Sequence, residues 1–393
     1  MRRRALALLL FVVAAGCRRT TESPVTSKPV SKRVVPAETD EWDVLPSRDA
    51  FAGSDACAEC HEKNHTAWLK DWHSRALRKT APGAVAGRFD RAHYKGASSE
   101  AWMERRGDRY VMRTRDREGR VGAYDVAWLI GGKRMQDAVT VFDDGRWQVL
   151  PVYFHVTGKG EWVDYNEVKQ GVVGPEHPFF WTNFRRTANK ECLDCHSTGL
   201  DARYDRETHV WSTTYADAGV ACEACHGPGA RHAETKAKGD IIHPGHIDRE
   251  LALAICGSCH GPREPIFPLL DAKHRFRPGD RYEDHYQSLV IVDGSQRSGE
   301  YFADGRPNTS SFEYQALLQS ACYRSGHATC LTCHTAPHEK HGPNEMKADP
   351  DGACRDCHAR VAAEGEARGP FWITGTRRTW CCRRGRRTPT ATG

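Results

Sequence analysis

Apolar side chains are scarce in this 393-residue chain. Hydrophobic residues make up 39% of it, and mean hydropathy is −0.66. A compact chain of this length then needs something besides aliphatic packing inside. Long apolar runs are missing too. The stretch from Ala5 to Ala15 is too short to span a bilayer as a mature helix. A basic face is also absent. The formal net charge of +6 comes from Arg2, Arg3 and Arg4 and from seven arginines in the last stretch, 361–393, and the body between is slightly acidic. Nucleic acid is therefore excluded as a partner. No signalling segment is visible.

What the chain has in excess is cysteine and histidine, 16 and 20 of them. Their placement is ordered. Cys-x-x-Cys-His occurs at Cys57/Cys60/His61, Cys192/Cys195/His196, Cys222/Cys225/His226, Cys256/Cys259/His260, Cys330/Cys333/His334 and Cys354/Cys357/His358. Chance placement gives far less than one such match. Cys17, Cys322, Cys381 and Cys382 are left over, and Cys322 reads as a small apolar residue.

Paired cysteines in an exported protein usually mean disulfides. The histidine that closes each motif argues for covalent c-type haem instead. Two cysteines add to the porphyrin vinyl groups as thioethers, and the next residue brings its imidazole to the iron. Zinc needs four ligands from paired motifs, and thioredoxin-like chemistry needs one motif in a βαβ setting. Six haems would also supply the interior that the apolar residues do not.

A haem iron with one protein ligand has a sixth position to fill. A second histidine there makes a low-spin electron carrier, and an open position permits substrate chemistry. His73, His232, His327 and His338 are the candidates for that second ligand, with His243 and His246 next. His232 is too close to its own motif to reach the same ring, so a neighbouring haem is expected for it.

The N-terminus reads as an export signal: three arginines, the apolar run, then small residues before Cys17. Ending on cysteine, it resembles a bacterial lipoprotein signal, with Cys17 acylated and the product anchored to a membrane. Residues 18–50 read as a flexible linker.

The motifs fall as one near the start, three between 192 and 260, and two between 330 and 358. Helix is predicted over 57–77, over 248–259 with Asp248 as N-cap, and over 311–324 with Ser310 or Ser311 as cap. The motif-free gap is rich in β-branched and aromatic residues. Strands are predicted at 109–114, 121–130, 137–142, 146–156 and 161–165, separated by Gly-containing turns. Expected boundaries are a first haem unit at 51–99, an inserted sheet region at 100–170, a five-haem region at 171–360, and a disordered or aberrant tail at 361–393.

FAGSDACAECH (51–61) followed by His73, LIGGKRMQ (129–136), GRWQVLPV (145–152), FWTNFRRTANKECLDCHSTGL (180–200), GVACEACHGPGARH (219–232), ADGRP (303–307) and TCLTCHTAPH (329–338) carry a resemblance. The chain resembles the multihaem cytochromes c with doubled Cys-x-x-Cys-His motifs, a group related to hydroxylamine oxidoreductase and to multihaem nitrite and sulfite reductases. The resemblance implies a mainly α and irregular, haem-packed multihaem cytochrome c fold with a small inserted antiparallel β-sheet, and His73 as an axial ligand. The chain departs from the group at Thr335-Ala336-Pro337-His338, one residue longer than its usual motif. It departs again after His358, where Arg-rich text reads as out-of-frame or aberrant sequence. Two activities are expected of such a protein. One is electron transfer through six haems to other redox proteins of the periplasm or cell envelope. The other is oxidoreductase chemistry on a small nitrogen or sulfur compound such as nitrite, hydroxylamine or sulfite.

Overall fold

The computed structural model describes residues 50–157, 159–261, 264–265, 275–287, 312–339, 345–347 and 358. Cys17, the linker, Cys354, Cys357, the ADGRP stretch and the 361–393 tail lie outside the described residues.

The best-packed part is built on strands. β1 (Leu77–Lys79), β6 (Trp128–Gly131), β7 (Met135–Val141), β8 (Trp147–His155) and β9 (Glu161–Val163) form one antiparallel sheet in that order. β2 (Asp90–Lys95), β3 (Glu100–Arg106), β4 (Arg109–Arg115) and β5 (Val121–Asp125) form a second. The expectation of one small sheet in a mainly α chain is thus corrected. Two large sheets and three short two-stranded ones occur among the described residues, and strands begin at Leu77, before residue 100. The predicted strand over 121–130 divides between the two sheets at Val126 and Ala127.

The five-stranded sheet is a middle layer. Leu129, Ala138, Leu150 and Val152 turn one way, onto Ala101, Met103 and Met112 of the four-stranded sheet. Trp128, Ile130, Val139, Trp147 and Val149 turn the other way, onto Ala188, Leu193, Leu200 and Ala202. Successive strand residues face opposite sides, so a strand covered on both faces reads as an unbroken apolar run. β8 is buried over eight consecutive residues for this reason. Pro151 interrupts neither contact. It lies opposite the bulge between Asp137 and Val139, where no ladder N–H is required.

The second face of that sheet holds the segment with the second motif, so the sheet positions haem-motif residues as well as itself. Asn189 ties the two: its Oδ1 accepts the Trp147 N–H at 2.7 Å.

Candidate haem sites

Each fully described motif lies on a short helix or helix end. The first is in α1 (Ser54–Trp68), and the second runs from the end of α3 (Ala188–Glu191) through α4 (Leu193–His196). After α2 (Tyr165–Gln170) in the chain, the third motif is α5 (Cys222–His226), followed by α6 (Ala230–Thr235). The fourth ends α7 (Arg249–His260), and past α8 (Glu313–Gln319) and α9 (Ala321–Arg324) the fifth opens α10 (Cys330–Cys333). Residues three and four apart share a helix face. In the third motif, which lies wholly within α5, the thiols of Cys222 and Cys225 and the imidazole of His226 therefore fall on neighbouring positions of one helix.

Several predicted helices stop early for tertiary reasons. α1 was expected to reach Leu77 and ends at Trp68, whose Nε1–H donates to Val220 O at 2.9 Å. The 311–324 helix divides at Ser320, where the backbone is extended (ψ 151°) and the side chain accepts from Tyr323 N. Asp248 caps α7 as expected, accepting from Glu250 N at 2.8 Å.

The first motif is pinned onto the third. Glu223, between the two cysteines of α5, is 2% exposed. Its carboxylate accepts from Ala52 N at 2.9 Å, Gly53 N at 2.9 Å and Gly229 N at 2.6 Å. Asp217 accepts both the N–H and the hydroxyl of Ser54, the first residue of α1. As a result the Cys57 and Cys222 thiols lie against each other, and their interaction pushes Cys57 up and Cys222 down. Cys256 and Cys330 form a second such pair, with Cys256 pushed up and Cys330 down. Burial raises Cys192 to about 12 and Cys225 to about 11.

The two cysteines of the first motif are unequally placed. Cys57 is half-buried, while Cys60 is exposed. The reason lies in how α1 is held. Its contacts to Glu223 and Asp217 all fall at Ala52, Gly53 and Ser54, so Cys60, nearly a turn beyond Cys57, stands past the pinned end. Cys195 is half-buried within α4, and its backbone N–H donates to Cys192 O at 3.2 Å. In the second motif Cys192 lies at the junction between α3 and α4, and Cys195 lies within α4.

His73 is brought in on a turn of 3-10 helix, His73–Arg75. Val220 N donates to His73 O at 2.8 Å. Gly219, with φ 86°, lets the two segments meet: a Cβ there would stand 2.6 Å from Ser74 O.

Three imidazole pairs result. His61 and His232 have ring centres 6.4 Å apart and nearly parallel planes, at 17°. His226 and His338 are 6.1 Å apart at 29°. His73 and His260 are 6.2 Å apart at 66°. Two imidazoles on opposite faces of one iron, with metal–nitrogen bonds of ~2.0 Å, put their ring centres about 6 Å apart. Each pair joins one motif histidine to one outside any motif. His243 also stands 6.3 Å from His226, while His243 and His246 stack on each other at 4.1 Å.

The outer nitrogens fit the same reading. An iron-ligating histidine commonly anchors its other ring nitrogen on the protein, which fixes tautomer and orientation. Nδ1 of His226 meets Ile242 O at 2.7 Å, that of His232 meets Ala237 O at 2.9 Å, and that of His196 meets Ala76 O at 3.1 Å. His73 Nδ1 meets Asp71 Oδ1 at 2.6 Å, and His338 Nδ1 lies 3.1 Å from the Asn64 amide nitrogen. Nε2 is left for a metal in each. Burial lowers the pKa of His196 and His226, which keeps these rings neutral as ligands must be.

Other expected residues are placed differently. His327 is exposed, with Nδ1 3.3 Å from Arg249 and no imidazole opposite it among the described residues. No second imidazole stands at the pair distance from His196 or His334 among the described residues either. His358 is exposed, and its cysteines lie outside the described residues. The carboxylates of Glu223 and Asp71 were not singled out from sequence. Asp71, two residues before His73, carried a local signal; Glu223 carried none.

Residues 180–227 match the family described as Cytochrome c554 and c-prime. That stretch contains the second and third motifs whole. Over these residues the chain is similar to that cytochrome family. No curated protein matches it. Among solved structures it is similar to the crystal structure of outer cell wall cytochrome OcwA, at 22% identity and a TM-score of 0.48, covering 76% of this chain and 60% of that one. It is also similar to the undecaheme cytochrome from the S-layer of Carboxydothermus ferrireducens, at 18% identity and a TM-score of 0.43, covering 80% of this chain and 44% of that one. The chain thus spans 60% and 44% of the lengths of these two structures.

Proposed function

We propose that this cytochrome carries six covalent haems and moves electrons within a periplasmic or cell-envelope redox chain. The observation that carries the reading is the set of three imidazole pairs at 6.1 to 6.4 Å, each combining a motif histidine with a distant one. Bound haem supplies one-electron iron chemistry. The chain's own residues hold and orient it. The cysteines of each motif fix the porphyrin, Cys60 and Cys195 included. His61, His196, His226, His260, His334 and His358 would each supply a metal ligand, and His232, His338 and His73 would supply a second at three sites.

The neighbouring thiols Cys57 and Cys222, and Cys256 and Cys330, support close neighbours in the wire. They set the attachment point of the first haem against that of the third, and the fourth against the fifth. Export, and anchoring through an acyl group on Cys17, follow from the leader, and other envelope redox proteins are the partners. The boundaries at residues 51, 171 and 360 belong to the same proposal.

A second reading is oxidoreductase chemistry on nitrite, hydroxylamine or sulfite at an iron with an open sixth position. His196 and His334, which face no second imidazole among the described residues, are where it would occur. Spectra of the oxidised, exported protein test both. Low-spin iron throughout supports the wire. A high-spin component whose absorbance changes on adding nitrite, sulfite or hydroxylamine supports the oxidoreductase.

A further inference from the structure

The three imidazole pairs differ in what stands behind them. Behind His226 and His232 are backbone carbonyls, Ile242 O and Ala237 O, and behind His338 is the Asn64 amide. These groups orient a ring but carry no net charge. Behind His73 is a carboxylate, with Asp71 Oδ1 2.6 Å from Nδ1. Behind its partner His260 is another, with Glu313 Oε2 3.5 Å from Nδ1. Among the described residues this is the one pair backed by carboxylates at both ends.

Asp71 is built in. Its side chain is 2% exposed. The same Oδ1 accepts the His73 backbone N–H at 2.8 Å, and Asp71 O accepts from the Ser74 hydroxyl at 2.8 Å. The carboxylate is held against the ring, and water screens it little. Glu313 is more exposed, at 60%, and longer in reach, so its influence is weaker.

A carboxylate on Nδ1 does two things to the far nitrogen. It draws the Nδ1 proton toward itself, which makes Nε2 a stronger donor. It also places negative charge one ring away from the metal. Both favour ferric over ferrous iron, and hydrogen bonding behind a ligand is a recognised lever on potential. We infer that Asp71, seconded by Glu313, makes the haem on Cys256, Cys259 and His260 the lowest-potential of the three haems with paired histidines. Asp71 is then a potential-setting residue acting through His73. The inference rests on the axial pairing proposed above.

Potentiometric titration of the exported holoprotein, followed by absorbance and electron paramagnetic resonance, tests it. In Asp71→Asn the lowest of the three midpoints rises, by about 59 mV for a tenfold change in the oxidised-to-reduced ratio of a one-electron couple. The haem content and the number of low-spin centres stay the same. Asp71→Glu restores part of the shift, and Glu313→Gln moves the same midpoint by less. A lowest midpoint unmoved in Asp71→Asn, with haem content intact, overturns the inference. Should Asp71→Asn fail to take up its haems, Glu313→Gln decides: an unmoved midpoint there overturns it too. His73→Ala separates this from the pairing itself. If it produces no high-spin haem, the pairing is wrong; if it does and Asp71→Asn changes nothing, only the role of Asp71 falls.

Discussion

His232 stacks against His61 across 6.4 Å, at 17° between ring planes, although one belongs to the first motif's helix and the other follows the third motif. Its Nδ1 is fixed on Ala237 O at 2.9 Å, so Nε2 is the nitrogen free to bind. His232→Ala therefore converts one low-spin haem to high-spin without loss of haem mass. Electron paramagnetic resonance of the oxidised protein checks this. An unchanged low-spin count means that His232 is a packing residue.

Glu223 holds the first motif against the third through three backbone N–H groups. Glu223→Ala leaves those donors, of which Gly229 N is buried, without their acceptor, at a cost of about 3 kcal/mol. Glu223→Gln keeps an acceptor oxygen and costs less. Chemical denaturation of the loaded protein measures both, and equal stability of all three forms would contradict the pinning role.

Acid acts through the buried imidazoles. Burial lowers His196 and His226 below the ordinary value of 6.5, so the unfolded chain takes up protons that the folded one refuses. Stability is complete above that value and is lost as pH falls from there through the depressed folded values. Iron ligation demands the same neutral rings and adds to the effect in the same sense. Melting at pH 5 comes at a lower temperature than at pH 8; an equal or higher temperature at pH 5 would contradict it.

Leu150 is fully buried between the two sheets, away from every motif. Leu150→Ala removes that packing and costs roughly 2–5 kcal/mol. The haem spectrum and haem mass stay unchanged, because the sheet supports the second motif from its opposite face. Thermal melting and absorbance, read together, check this; a changed spin state would mean that the sheet does more than support.

Much of this was legible in the chain. The helices that carry the first and fourth motifs, the Asp248 cap and most of the hairpin strands fell where pattern and propensity put them. Strands β2 and β3 were not foreseen. DRAHYK and EAWMERR turn charged residues outward and bury little beyond Ala101 and Met103, so their alternation is weak. The early end of α1 depends on Trp68 finding Val220, a contact that local sequence does not encode. The unequal exposure of Cys57 and Cys60 has the same origin, since the spacing of a motif says nothing of which end is pinned. So have the imidazole pairs. His73 and His232 were candidate ligands from their place in the sequence; that they meet His260 and His61 follows from Gly219 and Glu223 drawing remote segments together.

The mass of the exported protein tests the central claim most directly. Six covalent haems predict an intact mass above that of the polypeptide by six porphyrins, with the twelve motif cysteines unavailable to thiol reagents. A polypeptide of bare mass, with those cysteines free, bridged to one another or holding zinc, would contradict it.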